Sequence, residues 1–390
     1  MLLQIRRLPS DDLGAGRRPW LAVARLAVVA CLLAATALDA KAFLYGDTPV
    51  MKVGVSPSAV VVSPDGRTVY LANSDDSITQ VPVATGRAGR RIAISYGSPG
   101  RGAATDSLAI TPDGRTLFTT VTDNVTQASL ALARVDLRTG REAARVQVPG
   151  GVGQFVMTRD GRTLYVLSGD SGLYPVDVAT GRVEKALAAP DYVLESAVTM
   201  VLSPDGGTLW IATNEDGPDA SDVLSGAVTP VSTRTGTAGA SIKVGWTPAA
   251  LAITPDGRTL YAAIDGLSGI GQLAPNAVDV IDTAAGQLRA TLRWRVAPVY
   301  LLMAPDGATV WAVSVVDDRI SMAENTITAI DVASGRPGPS FHPSGWLNSY
   351  ADGPAGVAMS PDGRSLFVTV RSGLERFRVP ATGTAATVPW

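Results

Sequence analysis

The chain has one cysteine and one histidine in 390 residues, and both shortages exclude chemistry before any pattern is read. Cys31 stands inside an apolar N-terminal run, so the remainder has no thiol for a disulfide, a cysteine metal cluster or a nucleophile. The lone His342 disfavours a histidine-dependent lyase, and no Cys-x-x-Cys-His occurs for haem attachment. No resident cofactor or metal is therefore expected. Positive excess is missing too. With 33 Lys and Arg against 35 Asp and Glu, the formal charge of -2 argues against nucleic acid as a partner. What the chain does have is 40 Gly and 26 Pro beside 46% hydrophobic residues, a composition suited to many short strands joined by tight turns.

The N-terminus reads as an export or anchoring segment. Arg6, Arg7, Arg17 and Arg18 lie in a basic region, residues 1–19, ahead of an apolar stretch from Trp20 to Leu38 that Arg25 interrupts. Residues 20–42 are expected to form a signal peptide or signal-anchor helix. Ala35-Thr36-Ala37 and Ala40-Lys41-Ala42 both have the small-x-small form of a cleavage site. Left uncleaved, a stretch of roughly 19 residues is just long enough to span a bilayer. The arginines before it would then put the remainder outside the cytoplasm, secreted or held at the membrane. Three other readings stand beside this one. Val28-Val29-Ala30-Cys31 has the form of a lipoprotein box, although the chain stays apolar after Cys31. Arg17-Arg18-Pro19-Trp20-Leu21 loosely resembles a twin-arginine signal. The stretch would also serve as a buried helix of a cytosolic protein.

The rest of the chain, residues 43–390, repeats itself. The pattern Pro-Asp-Gly-Arg-Thr-apolar-aromatic recurs with its aspartate at Asp65, Asp113, Asp160, Asp205, Asp256, Asp306 and Asp362. Single positions drift, as at Arg159, Gly207, Ala308 and Ser365. Five residues after each aspartate stands an aromatic: Tyr70, Phe118, Tyr165, Trp210, Tyr261, Trp311 and Phe367. A small-Gly turn follows in every copy, ending at Gly86, Gly140, Gly181, Gly236, Gly286, Gly335 and Gly383. The spacing of 45 to 56 residues is that of one four-stranded propeller blade.

Each unit is expected to begin with an apolar strand buried on both faces, such as Leu251-Ala252-Ile253. Proline and glycine then make a tight turn, and the aromatic of the second strand packs between blades. Val50-Met51-Lys52-Val53-Gly54 matches the outer strand Ser241-Ile242-Lys243-Val244-Gly245 yet precedes the first copy. It is expected to close the ring as the outer strand of the last blade, with the tail from Thr384 to Trp390 as competitor. The predicted fold is all-β: a seven-bladed propeller of four-stranded antiparallel blades.

Val69-Tyr70-Leu71-Ala72-Asn73 after Pro64-Asp65-Gly66 resembles the YVTN-type repeat of bacterial surface and periplasmic propellers, which are WD40-like and lactonase-like in form. The resemblance spans residue 50 to about 390. It implies the fold and leaves activity open, since propellers host binding modules, lactonases, lyases and cofactor enzymes alike.

Alternating turns put the Pro-Asp-Gly and Thr-Gly turns at one end of the ring. The loops of variable length fall at the other, where binding residues are expected to collect. That end is acidic. Asp75, Asp123, Asp170 and Glu215 lie ten positions after their turn aspartates, Asp265 and Asp317 lie within a residue of that place, and Arg371 departs from the pattern. Such a ring would attract a cation or a basic partner, or each aspartate would simply bond its own turn. Glu215, Asp216, Asp219 and Asp222 cluster on one loop without EF-hand spacing, which suits either calcium or a solvated loop. Tyr96, Tyr192, Trp246, Tyr300, Trp346 and Tyr350, with His342 and Arg101, would line a mouth for a glycan or peptide, or pack beneath their loops. No orienting carboxylate can be assigned to His342 as a base. The expected function is a non-enzymatic binding scaffold for a protein, peptide or glycan. The alternative is a metal-dependent lactonase or lyase working through the acidic ring.

Overall fold

The computed structural model describes residues 50–53, 57–75, 77–94, 103–104, 107–123, 129–215, 225–266, 275–314, 326–343, 356–370 and 373–379. The expected N-terminal helix over residues 20–42 lies outside them. Among the described residues no helix is long and apolar enough to cross a membrane.

Strands follow one another as antiparallel neighbours in seven separate sheets. Blade one comprises Pro57–Val62, Thr68–Asn73, Ser77–Pro82 and Arg91–Ala93. Blade two has Leu108–Ile110, Thr116–Asp123, Ser129–Asp136 and Arg141–Val146, with Ala103–Ala104 pairing further along its second strand. Blade three has Gln154–Met157, Thr163–Leu167 and Leu173–Asp177. Its outer segment is irregular, held where the Glu184 and Leu187 amides donate to the Pro175 and Leu173 carbonyls. Blades four, five and six are four-stranded: Ala197–Leu202 through Ile242–Val244, Pro248–Ile253 through Gln287–Arg293, and Pro298–Met303 through Arg336–Phe341. Blade seven has Val357–Met359, Ser365–Val370 and Gly373–Arg378.

The outer place in blade seven is taken by the beginning of the ring, through one isolated β-bridge and not a full strand. The Met51 amide donates to the Leu374 carbonyl at 2.9 Å, and the Leu374 amide returns a bond to Met51 at 3.0 Å. Residues 50–53 thus cover an edge that would otherwise present unpaired amides. The competing C-terminal tail lies outside the described residues.

The repeated aromatics explain how the blades adhere. Tyr70 of blade one packs with Leu117, Val121 and Val135 of blade two. Phe118 meets Leu164 and Val166 of blade three, and Tyr165 meets Leu209 and Ile211 of blade four. The same step takes Trp210 to blade five, Tyr261 to blade six and Trp311 to blade seven. Phe367 then packs on Val62, Val69 and Leu71 of blade one. Each such ring removes a large apolar surface from water, worth about 1.5–3 kcal/mol per side chain. Seven interfaces of one design make a closed circle.

One expectation needs correcting. The second strand is the most buried in several blades, as in Ser365–Val370, where every residue is buried. The innermost strands of blades two and three are half-exposed throughout, although that of blade five is buried at five of six positions. The reason is geometric. An innermost strand has a hydrogen-bonded neighbour on one side only, and its free edge faces the ring axis.

Candidate functional site

The turn end is built from one repeated device. Residues 63–67 connect the first two strands of blade one, and every other blade uses a turn of the same length. The Ser63 hydroxyl donates to Asp65 Oδ1 at 2.5 Å and accepts from the Thr68 amide at 2.9 Å. The Arg67 amide donates to Asp65 Oδ1 at 3.0 Å. Gly66 holds φ at 70°, a left-handed conformation that any side chain would strain. Thr111, Thr158, Ser203, Thr254 and Ser360 repeat the hydroxyl bond at 2.5–2.6 Å. These hydroxyls, with a backbone amide beside them, hold Asp65, Asp113, Asp160, Asp205, Asp256 and Asp362 below the usual carboxylate range. A hydroxyl two residues before the aspartate was the signal for this network, and it is plain in the sequence once its role is known.

Neighbouring turns also touch. A Cβ on Gly114 would lie 3.6 Å from Pro64 Cδ, and one on Gly66 would lie 3.5 Å from Pro361 Cδ. The turn glycine of each blade therefore sits against the proline of the blade before. The contact fails at Gly206, which has nothing within 4 Å, because blade three carries Arg159 in place of proline.

At the loop end no common device appears among the described residues. Asp75 accepts from the Ser77 hydroxyl at 2.6 Å and pairs with Arg91 at 2.6 Å. Asp170 accepts a short bond from the Ser168 hydroxyl and crowds Gly150. Asp265 is buried, with its amide donating to the Thr247 carbonyl at 3.1 Å. Asp123 and Glu215 end the second strands of blades two and four, and their side chains lie outside the description. Asp317, Arg371, Trp346 and Tyr350 fall outside the described residues altogether, as do Tyr96, Arg101, Asp216, Asp219 and Asp222. Of the remaining aromatics, Tyr192 is exposed on a short helix, Asp191–Leu194, and Trp246 is half-buried. Tyr300 packs beside Trp311, and burial pushes its phenol well above the ordinary value. His342 is half-buried just after the outer strand of blade six. Among the described residues no three His, Cys, Asp or Glu side chains gather in a way that would hold a metal ion.

Sequence reading missed two buried acids on third strands, Asp279 and Glu375. Asp279 is 1% exposed and accepts from the Gly245 amide at 2.8 Å and the Thr291 hydroxyl at 2.6 Å. Gly245 follows the outer strand of blade four, so one carboxylate fastens two blades together. At the matching register three of the other third strands hold Thr79, Thr229 and Thr328, where Thr229 and Thr328 bond Ser241 and Ser340 at 2.8 Å, and the third strands of blades two and three hold Ala133 and Tyr174.

No family model matches the chain, and no curated protein matches it. Solved structures do. Kuenenia stuttgartiensis hydrazine synthase aligns over 85% of this chain and 98% of its own, with 19% identity and a TM-score of 0.64. The β-propeller domain of Cps50 from Myceliophteria thermophila aligns over 85% and 99%, with 13% identity and a TM-score of 0.63. A chain of the mitotic checkpoint complex aligns over 98% and 99%, also with 13% identity and a TM-score of 0.63. At such identities the likeness is one of architecture: the chain is a seven-bladed β-propeller with WD40-like structural neighbours.

Proposed function

We propose that this protein is an exported or membrane-anchored recognition scaffold, of the YVTN-type propeller kind, that presents its loop end to a protein, peptide or glycan. The observation that carries the reading is the contrast between the two ends. The seven turns between first and second strands at one end all have the same length, while the second-to-third-strand connections at the other run from 371–372 in blade seven to 265–276 in blade five. A rigid ring whose first turns are all alike, with connections of widely varied length at the opposite end, is suited to displaying a binding surface there. Propeller domains of this form occur within larger assemblies, as the mitotic checkpoint complex illustrates. The basic and apolar segments of residues 1–42 support a place outside the cytoplasm.

The test combines position and binding. A reporter active only outside the cytoplasm, fused after Trp390, is expected to be active, and an inactive fusion would remove the localisation half of the proposal. A glycan and peptide array probed with the full chain is expected to give ligands whose binding is lost in W346A/Y350A at unchanged melting temperature. Ligands retained by that variant would move the binding surface elsewhere. Added calcium or manganese is expected to leave the melting temperature unchanged; a rise would favour the metal-dependent lactonase reading.

A further inference from the structure

One turn of the seven breaks the shared device, and it does so beside a cleft. Blade six has Ala304 where six blades have Ser or Thr, and Ala308 where five have Arg. Asp306 therefore loses both the hydroxyl donor and the adjacent guanidinium. The Ala308 amide, at 2.9 Å, still donates to its Oδ1. The carboxylate is exposed, with spare acceptor capacity.

Asp306 lines a cleft of about 400 Å³ between the turns of blades six and seven. Pro305, Thr309 and Trp311 share its wall from blade six, and Pro361 and Arg364 face them from blade seven. Trp311 is 3% exposed, and its indole Nε1 is buried with no acceptor. By contrast the Trp294 Nε1 reaches Ser314 Oγ at 3.1 Å. A buried donor without a partner costs about 1–3 kcal/mol, and because Trp311 also lines the cleft, a shift of the wall that uncovers the N–H would let an occupant supply the acceptor.

We propose that this cleft binds a small neutral saccharide, of mono- or disaccharide size. Four features converge on that class. A hydroxyl donates to the Asp306 carboxylate, and a neighbouring hydroxyl accepts from the Arg364 guanidinium. The C–H face of a sugar ring lies against Pro305 and Pro361. A small adjustment of the wall brings a further oxygen to the Trp311 N–H. A simple cation fits less well, because Arg364 opposes it and Asp362 is already engaged by Ser360 and the Arg364 amide. An anion is opposed by Asp306. The volume lies within the range of small-molecule pockets. The site is at the turn end, so it stands apart from the loop-end scaffold reading and does not depend on it.

The test titrates the full chain with glucose, galactose, maltose and trehalose, following heat and tryptophan fluorescence. At least one sugar is expected to bind and to change the fluorescence. A304S, which returns a hydroxyl to Asp306, and W311F, which removes the N–H and keeps most of the ring, are each expected to weaken binding by about tenfold. D256N, in the regular turn of blade five, is expected to bind as the wild type does. The proposal is overturned if none of the four sugars binds, or if A304S, correctly folded by its melting curve, binds unchanged. It is equally overturned if calcium or arginine, and no sugar, titrates in an Asp306-dependent manner.

Discussion

Blade one carries two aspartates ten residues apart, and its two ends hold them differently. At the turn end Asp65 accepts from its own Ser63 hydroxyl and the Arg67 amide, a pattern five other blades copy in full. At the loop end Asp75 pairs with Arg91 and Ser77, whereas the matching Asp170 accepts from the Ser168 hydroxyl. Six copies of one solution indicate a demand common to nearly all blades, which is ring assembly. Among the described residues Asp75 and Asp170 are held in different ways, so the loop end does not repeat one device as the turn end does.

Substitutions can break or sharpen that contrast. The largest effect is expected from the shared architecture. F367A opens a cavity where blade seven meets blade one and should lower unfolding free energy by about 3–5 kcal/mol in urea titrations. A loss below about 1 kcal/mol would mean that the aromatic circle does not carry closure. Next comes a fastening confined to one interface. D279A strips the Gly245 amide and Thr291 hydroxyl of their acceptor and should cost about 2–3 kcal/mol; near-neutral behaviour would show that water replaces the carboxylate. A304S runs the other way. By restoring the hydroxyl common to the other turns it should add about 0.5–1 kcal/mol, measured by melting. D75N at the loop end should cost less than about 1 kcal/mol and lose that effect in high salt, because Arg91 is largely exposed.

Acid supplies a further test. The six hydroxyl-bonded turn aspartates have folded-state pKa values below the ordinary 3.8. Their contribution is therefore present above that value and is lost as the pH falls through the lowered ones. Melting temperature is expected to be insensitive to these groups above about pH 5 and to fall progressively below about pH 4. Replacing Ser63 and Thr111 by alanine should flatten that fall.

Much of this was legible because the chain repeats itself. Tyr70 through Phe367 announce the blade interfaces, since one large apolar ring at a fixed offset has one place to go. Residues 50–53, which precede the first blade, revealed the closing segment by their likeness to 241–244 at the outer strand of blade four. The inner strands were misjudged because continuous apolar sequence such as Phe155-Val156-Met157 does not distinguish a strand flanked on both sides from one flanked on one. Asp279 escaped notice for the opposite reason. In the sequence it is one acid among apolar residues, and only pairing with Thr291 and apposition to Gly245 make its burial tolerable. Of the acidic positions, Asp75 and Asp170 are placed by bonds local to their turns. The loops bearing Asp317, Trp346 and Tyr350 repeat nothing, so no copy elsewhere in the chain explains them.

The bridge between Met51 and Leu374 sets a condition on time. Each blade can form from contiguous chain soon after its strands are made, since its pairings are local. The last sheet cannot. Its outer segment belongs to the first described residues, and its strands to the final stretch of the chain. That pairing spans almost the whole sequence, so it is the contact of highest order and the slowest to form. Until then both the edge of blade seven and the Phe367 face of blade one stay open to other molecules. A chain made from its N-terminus therefore passes through an unsealed spiral before it becomes a ring, and aggregation during synthesis is to be sought at that stage.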